Sequence, residues 1–134
     1  MKRLETFHQR CLRHILRIRW YHRINNVHVL NRAGVTTLET IISSMRLRWF
    51  GHVSRMPDER LPKFLLDWAP KHGKRPRGRP KKSWVNCVRE DAEQFTEVDN
   101  ITTDNMKTLA SDRKQWKQMI KGKREFLGAG HSND

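Results

Sequence analysis

Leu38-Glu39-Thr40-Ile41-Ile42-Ser43-Ser44-Met45-Arg46-Leu47-Arg48-Trp49-Phe50-Gly51-His52-Val53-Ser54-Arg55-Met56 is the stretch on which the fold turns. Leu38, Ile41, Ile42, Met45, Trp49, Val53 and Met56 recur at steps of three and four. That is the period of one face of an α-helix. Thr36-Thr37-Leu38-Glu39 ahead of it fits a capping box, with Thr36 as N-cap and Glu39 at the third helical position. Pro57-Asp58 stops it. Gly51 costs such a helix about 1 kcal/mol relative to alanine. A glycine there admits close approach of a neighbouring helix or a local kink.

The same period extends outward. Residues 3–20 predict an amphipathic helix, with Leu4, Phe7, Cys11, Ile15 and Ile18 on one face, widened by Leu12 and Leu16. Arg3, Arg10, Arg13 and Arg17 fall mainly on the other side. Tyr21 to Ile24 reads as a turn. Asn25 or Asn26 caps a short helix containing Val27 and Leu30, which Gly34 ends. Leu61 to Trp68 fits either a short helix started by Pro62 or a brief strand. Ser83 caps a helix over Trp84, Val85, Val88, Ala92 and Phe95. Thr103 or Asp104 caps a last helix through Met106, Leu109, Ala110, Trp116, Met119, Ile120 and Phe126. No internal repeat is evident.

The expected fold class is therefore mainly α. A small helical bundle at residues 3–56 and a helical pair at 83–127 are joined by a basic Pro/Gly/Arg linker. In domain terms this is an N-terminal bundle at 1–57, an apolar segment and linker at 58–82, C-terminal helices at 83–127 and a disordered tail at 128–134.

Lys74-Arg75-Pro76-Arg77-Gly78-Arg79-Pro80-Lys81-Lys82 carries the chemistry. Six of its nine residues are cationic, and two prolines and a glycine keep it out of a helix. It holds charge in a narrow extended ribbon, whose natural partner is a row of phosphates. Pro76-Arg77-Gly78-Arg79-Pro80 has the form of an AT-hook core. Gly78 has no side chain to strike a groove floor, and Arg77 and Arg79 suit the negative minor groove of A·T-rich DNA. Arg-Gly-Arg-Pro also serves in linkers that only touch phosphates.

Composition agrees. Lys and Arg total 28 against 14 Asp and Glu, a formal charge of +14, and the sequence pI is about 10.7. That is the footprint of a nucleic-acid binder. Polyanion binding should also relieve self-repulsion and stabilise the fold. Arg46-Leu47-Arg48-Trp49-Phe50-Gly51-His52 interleaves cations with aromatics. Trp49 or Phe50 could stack on an unpaired base while Arg46 and Arg48 hold the backbone. Helical spacing instead assigns Trp49 to the core.

Other chemistries find little support. Cys11 and Cys87 make no disulfide framework. His8, Cys11 and His14 share a helix, but the two histidines point about 120° apart, so no metal site is expected. Neither GxxxxGK[ST] nor GxGxxG occurs, and no carboxylates converge. No cofactor is expected and the chain reads as noncatalytic. No signal-peptide core and no run near the roughly 18 apolar residues of a membrane span is present. The expectation is an intracellular protein, in a nuclear or cytoplasmic ribonucleoprotein.

Four segments resemble the C-terminal region of the reverse transcriptase of non-LTR (LINE-type) retrotransposons. They are Leu4-Glu5-Thr6-Phe7-His8-Gln9-Arg10-Cys11-Leu12-Arg13-His14-Ile15-Leu16 with Trp20, residues 46–56 continuing through Arg60-Leu61-Pro62-Lys63, Gly73-Lys74-Arg75 through Arg77-Gly78-Arg79-Pro80 to Trp84, and Leu109-Ala110-Ser111-Asp112-Arg113-Lys114-Gln115-Trp116. The resemblance implies contact with template RNA, primer DNA or target DNA, and the rest of a reverse transcriptase as a partner. The polymerase palm needs an aromatic-x-Asp-Asp motif. This chain has no Asp-Asp and no endonuclease domain, so it is expected to be a fragment, either a transposon remnant or a truncated reading frame beginning at Met1.

Together these readings predict a nucleic-acid-binding module. Lys74, Arg75, Arg77, Gly78, Arg79, Lys81 and Lys82 form its linker site, extended by Arg46, Arg48, Arg10, Arg13 and Arg17. Preference for RNA or DNA stays open. The alternatives are a protein-interaction scaffold, whose helices dock on a larger protein, and an unselected remnant without function.

Overall fold

The computed structural model describes residues 2–68, 78, 82–96 and 100–129, with side chains through 122. The expected residues Lys74, Arg75, Arg77, Arg79 and Lys81 lie outside the described residues, as do 130–134. Helices run α1 Lys2–Ile15, α2 Asn26–Ala33, α3 Leu38–Ser54, α4 Leu61–Asp67, α5 Trp84–Thr96, α6 Thr103–Ser111 and α7 Arg113–Ala129. A 3-10 turn, Trp20–His22, precedes α2, and no strand occurs among the described residues. The fold is mainly helical. None of these helices is long and apolar enough to cross a membrane.

The chain divides into two compact units, residues 1–45 with 120–134 and residues 46–119. In the first, α1 packs on α2. α1 ends at Ile15, short of the expected boundary at residue 20. Arg17 takes a left-handed conformation, φ 53°, its N–H donating to the His14 carbonyl (3.2 Å) while Ile18 N–H reaches the Arg13 carbonyl (2.8 Å). This is a Schellman stop with arginine in the usual glycine position and buried Ile18 as its apolar plug. The expected apolar face is also displaced. Leu4, Phe7 and Ile15 are exposed, and the buried direction runs through Gln9, with Leu12 and Leu16 half-buried. The apolar arc of α1 is wide, and α2 has only eight residues, about 12 Å, so it covers one side.

Asn25 caps α2, its side chain accepting the His28 N–H at 2.9 Å, and Gly34 at φ 64° closes it. The cap of α3 is Thr37, one residue beyond the expected Thr36. Thr37 Oγ1 accepts from Thr40 N–H (3.3 Å), whereas the Thr36 hydroxyl is buried without a partner among the described residues. Glu39 therefore sits one position short of the place a capping box requires.

In the second unit, Leu47, Phe50 and Val53 of α3, Val88, Ala92 and Phe95 of α5, Met106 and Ala110 of α6 and Trp116 of α7 are buried. Trp49, expected in the core, is 54 % exposed, and Phe50 takes its place. Phe50 faces Trp116 at 6.1 Å and Trp84 at 6.5 Å between ring centroids. The face is chosen by Gly51. Trp116 lies flush against that glycine and donates its indole N–H to the Leu47 carbonyl at 3.0 Å. Arg55 Nη1 donates to the Ala110 carbonyl (2.5 Å), and α5 packs on α6.

Leu61 to Asp67 resolves to helix, with Pro62 in the first turn and Trp68 extended after it. Ser83 caps α5, accepting from Asn86 N–H at 3.2 Å. The expected last helix is two helices. Thr102 caps α6, in place of the expected Thr103 or Asp104. Asp112 then breaks the run. Its backbone is extended, and its carboxylate accepts the N–H groups of Lys114 (2.8 Å) and Gln115 (3.1 Å). A side chain that satisfies two orphan donors starts a helix as readily as it ends one.

Candidate nucleic-acid interface

The turn that ends α1 builds the most exposed aromatic cluster of the first unit. Arg17 and Arg23 both adopt left-handed backbone, φ 53° and 49°, a conformation uncommon outside glycine and asparagine and worth attention when paired. Between them, the Arg19 N–H donates to His22 Nδ1 (3.1 Å) and the Arg23 N–H to the Trp20 carbonyl (3.3 Å). The turn is thus closed at both ends, and it holds Trp20 outward at 89 % exposure. Tyr21 stands edge-on to Trp20 (5.8 Å) and to His22 (4.6 Å). Arg17, Arg19 and Arg23 are exposed around them. An exposed aromatic face among cations is what base stacking beside a phosphate chain requires.

Sequence reasoning passed over this cluster because residues 3–20 read as one helix. The signal was present in Arg17-Ile18-Arg19-Trp20-Tyr21-His22-Arg23, the same interleaving of cations and aromatics as in residues 46–52.

Two clefts flank the turn. One, of about 460 Å³, is walled by α1 side chains together with Ile18 and Asn26. The other, of about 570 Å³, lies between Arg23, Asn25, His28 and Arg32. The walls are fixed by Arg13. Its Nη2 donates to the Ile24 carbonyl (2.7 Å) and to Asn26 Oδ1 (2.9 Å).

The other expected site residues separate into two kinds. Arg10, Arg17 and Arg48 are exposed. Arg46 is engaged within the fold, its guanidinium forking onto buried Asp91 at 2.7 and 2.9 Å. Lys82 pairs with Glu90, and that hydrogen bond holds its ammonium above the ordinary lysine range. Gly78 is exposed at φ 118°, a backbone that favours glycine. Of the aromatic pair in residues 46–52, Trp49 is presented to solvent beside His52 (5.5 Å) and Phe50 is not. Among the described residues no three His, Cys, Asp or Glu side chains are grouped to hold a metal ion.

With this geometry in view, the chain is similar to an uncharacterised protein of Caenorhabditis elegans named as transposon-derived. The two are 30 % identical over 80 residues, which is 60 % of this chain and 28 % of the relative. The match supports a transposon origin. The chain spans under a third of that relative's length. No protein-family model matches the chain, and no solved structure matches it.

Proposed function

We propose that this chain is a noncatalytic nucleic-acid-binding module from the C-terminal region of a LINE-type retrotransposon reverse transcriptase, acting in an intracellular ribonucleoprotein. The observation that carries the reading is Trp20, an almost fully exposed indole held by a closed turn among three exposed arginines. Such a surface binds a strand by its charge and by its bases together. The charge attracts the phosphates at long range, and stacking rewards bases that are not already paired. The basic segment 74–82 adds phosphate contacts in the same chain. The local resemblance over 80 residues supports the transposon part of the reading.

The test is a salt titration of binding to single-stranded RNA, A·T-rich duplex and G·C-rich duplex. With about five or six phosphates neutralised, the log–log slope on duplex is expected near −5. Arg77→Ala with Arg79→Ala should flatten it by about 2. Trp20→Ala should leave the melting temperature unchanged and weaken single-strand binding by about tenfold, since one stacked base is worth roughly 1–3 kcal/mol. A chain that binds no nucleic acid in dilute buffer would end the proposal.

A second reading has its own observation. Leu61, Phe64 and Leu65 follow i, i+3, i+4 along α4, Trp68 follows directly after its last turn, and all four are exposed. That pattern is how an amphipathic helix docks in a groove. A scaffold role predicts ANS binding and self-association of the isolated chain, both reduced by Phe64→Asp with Leu65→Asp.

A further inference from the structure

We propose that the cleft against α1 holds one unpaired nucleotide, its phosphate on Arg10 and His14 and its base edge on the Gln9 amide. This inference rests on the nucleic-acid reading above and gives that reading a specific pocket.

Thr6, Gln9, Arg10, Arg13 and His14 lie within one arc of α1, and Asn26 of α2 faces them across the cleft. Gln9 is unusual. It is the one buried residue of α1, 6 % exposed, and its Oε1 has no hydrogen-bond partner among the described residues. A buried amide acceptor left unpaired is costly, and such groups in a folded chain call for an explanation. Gln9 lines the cleft, and its Oε1, closed to solvent in the free chain, would meet a ligand donor when the side chain turns toward the opening. The amide bears both donors and acceptors and pairs naturally with a base edge.

The surrounding side chains define the rest of the ligand. Arg13 is committed to the Ile24 carbonyl and Asn26 Oδ1, so it shapes the wall. The Thr6 hydroxyl donates to the Lys2 carbonyl (2.9 Å). The side chains of Arg10 and His14, both exposed, have no hydrogen-bond or ion-pair partner among the described residues. Two unengaged nitrogen-bearing side chains beside a buried amide suit an anion joined to a hydrogen-bonding heterocycle. The volume, about 460 Å³, exceeds a lone phosphate and falls in the range of small-molecule sites, roughly 300–1,000 Å³. A base can enter only when unstacked, so the pocket selects single strands or loops over duplex. Ile18, which lines the cleft, is two residues from Trp20. A strand stacked on Trp20 would pass the pocket on the same turn.

The test uses the full chain and fluorescein-labelled single-stranded oligoadenylate ten-mers in RNA and DNA form, each also prepared with central abasic sites, and an A·T duplex. Gln9→Leu, near-isosteric and free of the unpaired acceptor, is expected to melt at the same or higher temperature. It should bind the intact strands about tenfold more weakly and leave the abasic strands and duplex unaltered. Arg10→Ala should weaken intact and abasic strands alike, by about threefold. Equal loss on intact and abasic strands with Gln9→Leu, or none on either, would overturn the pocket while duplex binding kept the broader reading intact. If the wild-type chain bound neither strand nor duplex, both would fall. Should Gln9→Leu not fold, the side-chain amide resonances of Gln9 in the wild-type chain decide the matter. Adenosine monophosphate should shift them and inorganic phosphate should not, and silence under both overturns the proposal. The RNA and DNA arms identify which strand is the preferred source of the nucleotide.

Discussion

Gly51→Ala sets local propensity against tertiary packing. In a helix read alone, alanine is better than glycine by about 1 kcal/mol, so the substitution should stabilise α3. The packed second unit reverses the sign. A Cβ at position 51 would lie 2.6 Å from Trp116 Cδ1 and closer still to Nε1, and Trp116 is a buried, rigid ring. Forcing a methyl into such a site costs about 1–3 kcal/mol. Displacing the indole also threatens its hydrogen bond to the Leu47 carbonyl, and a buried donor left unpaired costs about 1–3 kcal/mol more. Against the propensity gain, the net expectation is a loss of about 2–3 kcal/mol. Gly122→Ala is the control. It is also helical, but a Cβ there meets nothing within 4 Å among the described residues, so it should gain up to about 1 kcal/mol. Urea unfolding followed by circular dichroism reads both, and near-ultraviolet circular dichroism reports the tryptophan packing. If Gly51→Ala were as stable as Gly122→Ala, the close packing of Trp116 on α3 would be refuted.

Three further expectations follow from particular contacts. Arg46→Ala should destabilise by about 2–3 kcal/mol, because it removes the guanidinium that forks onto the buried Asp91 carboxylate; the 30 % exposure of the Arg46 side chain keeps this below the roughly 3–5 kcal/mol of a fully buried pair. Arg48→Ala, at an exposed position, should change urea stability by less than about 0.5 kcal/mol, and equal effects would discount the ion pair. Thr37→Ala should cost about 1 kcal/mol as a lost cap, while Thr36→Val should be neutral or stabilising because its hydroxyl is buried unpaired; the reverse order in thermal melts would restore Thr36 as the cap. Asp112→Ala removes both N–H acceptors at the start of α7 and should cost about 1 kcal/mol, read as a lower urea midpoint.

Much of the fold was legible because helices announce themselves locally. The Asn25 cap, the Gly34 stop, Pro62 at the start of α4 and the Ser83 cap all act within four residues of the chain, where side chain and backbone meet without help. Sequence and structure part where two local solutions compete. Thr36 and Thr37 are equivalent as letters, and the structure alone shows which hydroxyl reaches an N–H. Residues 3–20 keep a helical period past Ile15, yet the left-handed Arg17 and the burial of Ile18 end the helix early. That early stop is what throws Trp20 into solvent, so the strongest aromatic of the candidate interface was hidden inside a misplaced boundary. Gln9 carried no signal at all. A glutamine on a basic helix looks solvent-facing until its burial is seen.

The amino-acid order by itself determined the helical class, some of the caps and the excess of positive charge, since each depends on neighbours in sequence or on simple counting. The tertiary structure alone decided which side of each helix is inside. Trp49 and Phe50 are adjacent and comparably apolar, and a difference of about 100° in direction cannot be ranked by hydrophobicity. The ring of Trp116, sixty-five positions after Gly51 in the chain, settles it, because only a surface without a side chain lets that indole reach the Leu47 carbonyl.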